Sequence, residues 1–328
     1  MINKLLHRLF KLIFLASFIL FLVMACYNLN LNDLDFPKIQ LPTSECKKIR
    51  HSLGETCIPT KPQRLIVTDA AILDAVVALG IQPIAAAESN AVGNIQSYLV
   101  RSSKLKEPIS LGKESLLNFE KIVQLQPDLI LGFSINAQDY HILSQIAPTV
   151  SLPYSPIAWK DNLRQVGTIL GKSEEAKLVL RQYQKRVATL RSVIAQKPKK
   201  TEVSVSRFYA GWQTTEFQTK YSFSGSVLED VGVTRPAVQL RLANPNEQYV
   251  TVSLERLDLL DADVMFVALD PGSEESFKQY QNSQLWQLLD VVKNNRVYRV
   301  DSAYWISGNV LSANAILDDL YKYLPDGE

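Results

Sequence analysis

Apolar positions across residues 64–152 come in short runs of strand formers separated by stretches with helical spacing. Leu-Ile-Val-Thr-Asp after Arg64 predicts a first strand, entered past Pro59 and Pro62. A helix is predicted over residues 71–79 and a second strand over 83–87, followed by a loop at 89–93. A helix over 116–125 and a strand over 128–132 come next, then a helix over 139–146 and a strand over 148–152. Such alternation argues for a parallel sheet covered by helices.

The rhythm then changes. Residues 157–170 read as one helix closed by Gly171, and Ser173 is the expected cap of another, with Glu174 and Glu175 in its first turn. That second helix runs to residue 196 without Gly or Pro, with Ala176, Val179, Leu180, Tyr183, Val187, Leu190 and Ile194 at near-helical spacing. At 1.5 Å per residue it reaches about 36 Å, enough to pass from one lobe to another. Alternation resumes with a strand over 202–209, helices over 227–231 and 254–260, strands over 264–268 and 297–300, and a closing helix over 311–324.

One pattern occurs in both halves. NFEKIVQLQPDLIL (118–131) and SLERLDLLDADVMFV (253–267) each place a Glu (Glu120, Glu255) five residues before a Leu (Leu125, Leu260) and eight before an Asp (Asp128, Asp263), ahead of an apolar run. Upstream of each lies a helix-ending glycine followed by a proline: Gly80 with Pro83, and Gly232 with Pro236. The shared order predicts a tandem α/β architecture.

The N-terminus reads as an export signal. Lys4, Arg8 and Lys11 precede or enter an apolar run over 12–25, and no acidic residue occurs before Asp33. Val23-Met24-Ala25-Cys26 resembles a bacterial lipobox, which would make Cys26 the acylated first residue of the mature chain; an uncleaved anchor is the alternative. Residues 26–45 read as a polar tether. Of the 35 Lys and Arg, three precede Cys26, leaving 32 against 33 Asp and Glu. A near-neutral chain offers no electrostatic case for nucleic acid. Cys46 and Cys57 are an even pair in an exported chain, and a disulfide is expected over a metal site that would include His51.

Phosphate-cradling glycine loops and a G-x-S-x-G elbow are absent, and His7, His51 and His141 are the only histidines. An enzyme is therefore not expected. Arginine and aromatic residues gather where strands of the second half meet loops: Arg207, Tyr209 and Trp212, then Tyr221 and Phe223, then Tyr304 and Trp305. Ligands of open α/β sheets sit beyond the carboxyl ends of strands. Phe223 reads as core. Arg207 can serve a buried ion pair or a ligand, and the ligand contact is the expectation, as it is for Trp305.

The lipobox, the repeated Glu motif and the long central helix together resemble the substrate-binding lipoproteins of ABC importers for ferric siderophores and cobalamin. CKKIRHSLGETCIPTKPQRL (46–65) further resembles a cyanobacterial iron-siderophore branch. The resemblance implies two Rossmann-like α/β lobes with parallel sheets, joined by one rigid backbone helix, with the chelate between them. The divisions would be a signal (1–25), a tether (26–45), an N-terminal lobe (46–156), a helical connector (157–196) and a C-terminal lobe (197–328). It implies a monomer held in the periplasm by a lipid anchor, with no cofactor and no direct metal ligand, since the siderophore supplies the iron's six oxygens. Arg207 and Arg241 would offset chelate charge; Tyr209, Trp212 and Trp305 would pack its apolar parts, beside Tyr221 and Tyr304. Glu120 and Glu255 would dock into arginine pockets of a permease driven by a cytoplasmic ATPase, and lobe closure would be small. Cobalamin or haem capture in the same fold, or a carboxylate-using hydrolase, are the alternatives.

Overall fold

The computed structural model describes residues 46–90, 99, 106–196, 200–211 and 214–324. The expected signal, Cys26, the tether and Trp212 lie outside the described residues. The chain opens with a hairpin, β1 (Cys46–His51) and β2 (Gly54–Pro59), closed by the expected Cys46–Cys57 disulfide across a Cα separation of 5.5 Å. The pairing excludes the metal alternative, and His51 Nε2 lies 2.9 Å from Thr56 Oγ1 instead. Ser52 and Thr56 dock the hairpin by donating to the carbonyls of Ser151 and Thr149.

The first half then builds a six-stranded sheet in the order β6-β5-β4-β3-β7-β8. Its strands are β3 (Leu65–Val67), β4 (Ala85–Glu88), β5 (Ile109–Lys113), β6 (Leu116–Leu117), β7 (Leu129–Phe133) and β8 (Thr149–Leu152). All pairings are parallel except β5 with β6. Helices α1 (Ala70–Ala78), α2 (Phe119–Leu125), α3 (Ala137–Ile146) and α4 (Trp159–Ile169) cover it. Leu116 and Leu117, expected in the Glu helix, instead form β6; the helix starts after Asn118, whose side chain accepts from Lys121 N.

The long helix α5 (Ser173–Ile194) has 22 residues, about 33 Å by helical rise. Its cap differs from expectation: Lys172 is the flanking residue, and Ser173 is already helical with no side-chain cap bond. The second half forms a five-stranded sheet in the order β11-β10-β9-β12-β13. Its strands are β9 (Val203–Phe208), β10 (Thr214–Gln218), β11 (Tyr249–Ser253), β12 (Val264–Leu269) and β13 (Val297–Asp301). This sheet is mixed rather than purely parallel, because β10 runs antiparallel to both β9 and β11. Its helices are α6 (Phe223–Val231), α7 (Ala237–Leu242), a 3₁₀ helix (Leu254–Leu260), α8 (Glu274–Gln281), α9 (Gln284–Leu288), α10 (Asp290–Lys293), α11 (Ser302–Trp305) and α12 (Val310–Tyr323).

Strand alternation sorts the core. Leu65 and Val67 of β3, and Val203 and Val205 of β9, pack into one continuous cluster with Trp159, Leu163, Tyr183, Phe223, Val310 and Ile316. The intervening Ile66 turns to a separate cluster with Ile122 and Leu143, and Met265 and Val267 to another with Phe277 and Trp286. One face of each sheet therefore rests on a shared layer made of α1, α4, α5, α6 and α12, and the halves have a common core. Doubly covered strands need apolar side chains on both faces, which is why β3, β7 and β12 read as unbroken apolar runs.

The repeat has a structural meaning. Asp128 accepts from Gln63 N (2.7 Å) and Arg64 N (2.9 Å) just before β3, and Asp263 accepts from Glu202 N (2.8 Å) just before β9. The residue after each Asp pairs with the first residue of the strand so prepared, Leu129 with Leu65 and Val264 with Val203. Gly80 and Gly232 sit at φ +75° and +84°, the left-handed turn that ends a helix and favours glycine.

Candidate functional site at the strand ends

At the carboxyl ends of β9 and β12 a charged group is buried. Arg207, 7% exposed, donates through Nε to Asp270 Oδ1 (3.1 Å) and through Nη2 to Oδ2 (2.8 Å). Its cross-strand neighbour Glu216 stands 3.8 Å from Nη1, and its guanidinium lies 4.6 Å from the Tyr209 ring centre. Tyr209 and Gln218 both donate to Glu216. Burial alone would lower the guanidinium's pKa. The Asp270 hydrogen bonds and the charges around it outweigh that and hold Arg207 firmly protonated. Burial pushes Glu216 up, and burial with the Glu216 bond pushes the Tyr209 phenol up, so Tyr209 is a neutral donor. The buried ion pair is thus what Arg207 forms, and its charge is matched without a ligand.

The first half answers with acids at the ends of β3, β5 and β8. Asp69 caps α1, accepting from Ile72 N (2.9 Å), and accepts from Phe133 N (2.7 Å) at the end of β7. Glu114 accepts from Ala70 N at 2.9 Å. Burial raises the pKa of both carboxyls, that of Asp69 to about 7 with the Glu114 charge adding to it. The Tyr154 phenol, pushed up by burial and by Asp69, Glu114 and Asp74, completes the group. Sequence reasoning missed these residues, although Glu114 directly follows a strand and Asp69 and Tyr154 each stand two residues beyond one.

Asp74, fully buried on α1, reaches into the other half. It accepts from Asn309 N (2.8 Å), Leu311 N (2.9 Å) and Ser312 N (2.9 Å), which open α12. Gly308 allows the approach: its φ is +155°, and a Cβ there would meet the Ser312 side chain.

A cavity of about 340 Å³ lies at the seam, lined by Ile157 and Lys160 on one side and Lys220, Tyr221, Ser226, Glu229 and Asp230 on the other. Lys160 pairs with Asp230 at 2.5 Å, and the Tyr183 hydroxyl donates to the same carboxylate. The size suits a small molecule or part of a larger one.

The expected ligand residues are therefore dispersed. Tyr209 is partly exposed at the β9 end and Tyr221 lines the seam cavity; Arg241 is exposed on α7. Trp305 is fully buried, stacked on Phe266 with ring centres 4.6 Å apart, and it belongs to the core rather than to a cleft wall. Tyr304 and Trp305 both donate to Asp319 of α12, at 3.0 and 2.7 Å. Glu120 and Glu255 are exposed in the first turns of their helices.

Comparison with known proteins gives this geometry its context. The chain is 32% identical over 295 residues to the probable siderophore-binding lipoprotein YfiY of Bacillus subtilis, covering 87% of this chain and 89% of that one. It is 29% identical over 274 residues to the Fe(3+) dicitrate-binding periplasmic protein FecB of Escherichia coli, covering 82% and 87%. The crystal structure of Staphylococcus aureus SirA complexed with staphyloferrin B superposes with a TM-score of 0.73 at 28% identity, covering 86% of this chain and all of that one. Residues 65–304 match the periplasmic binding protein family, a family of binding proteins rather than enzymes, and the chain belongs to it.

Proposed function

We propose that this protein is the substrate-binding component of an ABC iron importer, receiving a ferric siderophore at the seam between its halves and handing it to an inner-membrane permease. The observation that carries this reading is the likeness, over 87% and 86% of this chain, to a probable siderophore-binding lipoprotein and to SirA with staphyloferrin B bound. The chelate brings the iron's oxygen ligands with it, so the protein's part is to recognise the chelate's outer surface. Tyr209 and Tyr221 offer ring faces and hydroxyls for that surface, with Lys220 beside Tyr221 for any residual negative charge. The Arg207–Asp270–Glu216 group holds Tyr209 in place. The shared helical layer between the sheets favours a small lobe closure.

In this reading residues 1–25 are a lipoprotein signal, Cys26 carries the lipid, and 26–45 tether a monomer to the membrane. Residues 46–156 and 197–328 are the two lobes and 157–196 their connector. Glu120 and Glu255 are one docking contact per lobe. Tryptophan fluorescence titration tests the cargo: ferric hydroxamate or citrate-hydroxamate chelates are expected to quench emission at micromolar concentration or below. Quenching by cobalamin or haem, with none by any ferric chelate, would overturn the reading.

A further inference from the structure

Five of the eleven exposed large apolar side chains among the described residues flank the two copies of the Glu motif. Leu116, 79% exposed, lies four residues before Glu120, and Val123 (39%) lies one helical turn after it on the same face. Leu254 (40%) precedes Glu255 directly, and Leu285 (43%) and Leu288 (63%) project from α9, which packs against that 3₁₀ helix. The sheet cores do not account for this. Ile122, Leu257 and Leu260 of the same helices are buried, so each motif presents one apolar face inward and a second outward. Exposed apolar side chains beside both glutamates mark a surface that something covers.

We propose that Leu116 and Val123 around Glu120, and Leu254, Leu285 and Leu288 around Glu255, form two apolar collars that seat against periplasm-facing loops of the permease. This rests on the importer reading above and deepens its docking contacts. The occupant follows from charge. Each collar surrounds an exposed glutamate, and the local backbone with Ser253 holds Glu255 below the usual range. A second copy of the chain, meeting these patches about a two-fold axis, would set carboxylate against carboxylate. An anionic lipid surface would repel them as well. A protein presenting cationic groups within apolar surface satisfies both parts. The collars then supply salt-independent contact by excluding water, and the carboxylates supply orientation and rate.

The test uses cells that lack the gene and are complemented with full-length variants, supplied with ⁵⁵Fe equilibrated in their own iron-starved culture medium. Leu116→Ser/Val123→Ser and Leu285→Ser/Leu288→Ser are expected to cut uptake at least tenfold. Thermal melting and fluorescence binding of the same iron-loaded medium should stay at wild-type values, since these side chains are exposed. Glu120→Ala/Glu255→Ala runs in parallel. If the glutamate variant loses uptake while both leucine variants keep it, the collars are overturned and the docking glutamates stand. If the leucine variants lose uptake while the glutamate variant keeps it, the collars stand and the glutamate assignment fails. Lost chelate binding in the leucine variants would overturn the proposal, as would a wild-type dimer in sedimentation that they convert to monomer without loss of uptake.

Discussion

The two copies of the repeat are the same at one end and different at the other. At their carboxyl ends Asp128 and Asp263 do one job, accepting backbone N–H groups that would otherwise face the start of a central strand unpaired. At their amino ends the first copy is a capped α-helix, while the second is a 3₁₀ helix with non-helical angles at Arg256. The reason is local. Gln126 closes the first copy in a left-handed conformation, and Arg64 donates to the Leu125 and Gln126 carbonyls. The second copy has Asp261 there, extended and accepting from Asp290 N and Val291 N to start α10. What persists through the repeat is the strand entry. The helix has drifted to suit its neighbours.

The halves also differ in what they bury, and substitutions of decreasing severity probe that difference. Asp74 of the first half serves three N–H groups at the start of α12 in the second. Asp74→Ala leaves those groups without their acceptor and is expected to cost about 3 kcal/mol or more, read as a lower urea midpoint. A loss under about 1 kcal/mol would mean the two halves do not depend on this contact.

Asp69 separates the acidic strand ends of the first half from the neutralised Arg207 group of the second. Its pKa is raised to about 7 from 3.8, so between those values the folded protein binds more protons than the unfolded chain. Stability contributed by this group is therefore present at pH 4 and falls as pH rises to 7, by up to about 1.4 kcal/mol per pH unit. Melts of Asp69→Asn against wild type should differ by that slope, because Glu114 and Asp74, whose carboxyls burial also raises, remain in both. The mildest change is the one the halves share. Asp128→Ala and Asp263→Ala should each cost about 1–2 kcal/mol, and similar values would confirm that the repeat's Asp plays the same part twice.

The repeat was legible because its job is local: an Asp next to a strand caps a backbone that the topology always brings alongside. The helix-ending glycines were legible for the same reason. Arg207 was not, since its partners Glu216 and Asp270 arrive from a neighbouring strand and from 63 residues away. Trp305 follows a strand end as a ligand residue would, and only the packing of α11 onto β12 turns it inward onto Phe266. The antiparallel β10–β11 pair stayed hidden because β10 (Thr-Thr-Glu-Phe-Gln) carries a single apolar residue and β11 (Tyr-Val-Thr-Val-Ser) is a largely exposed edge strand, so neither gives an apolar run. The Asp69–Glu114–Tyr154 group joins loops that no spacing rule connects.

The reach of Asp74 to α12, across 235 residues, also bears on how the chain acquires its structure. The first helix of the first sheet packs against α12, the last of the described helices, and its carboxylate has no helix to cap until that helix arrives. The amino-terminal half released alone would expose the apolar face of α1 and hold an uncompensated acid beneath it. Folding must therefore wait for α12, a late and non-local closure that slows the reaction and makes it all-or-none. Under the proposed export, that delay would leave the chain threadable until α12 has emerged.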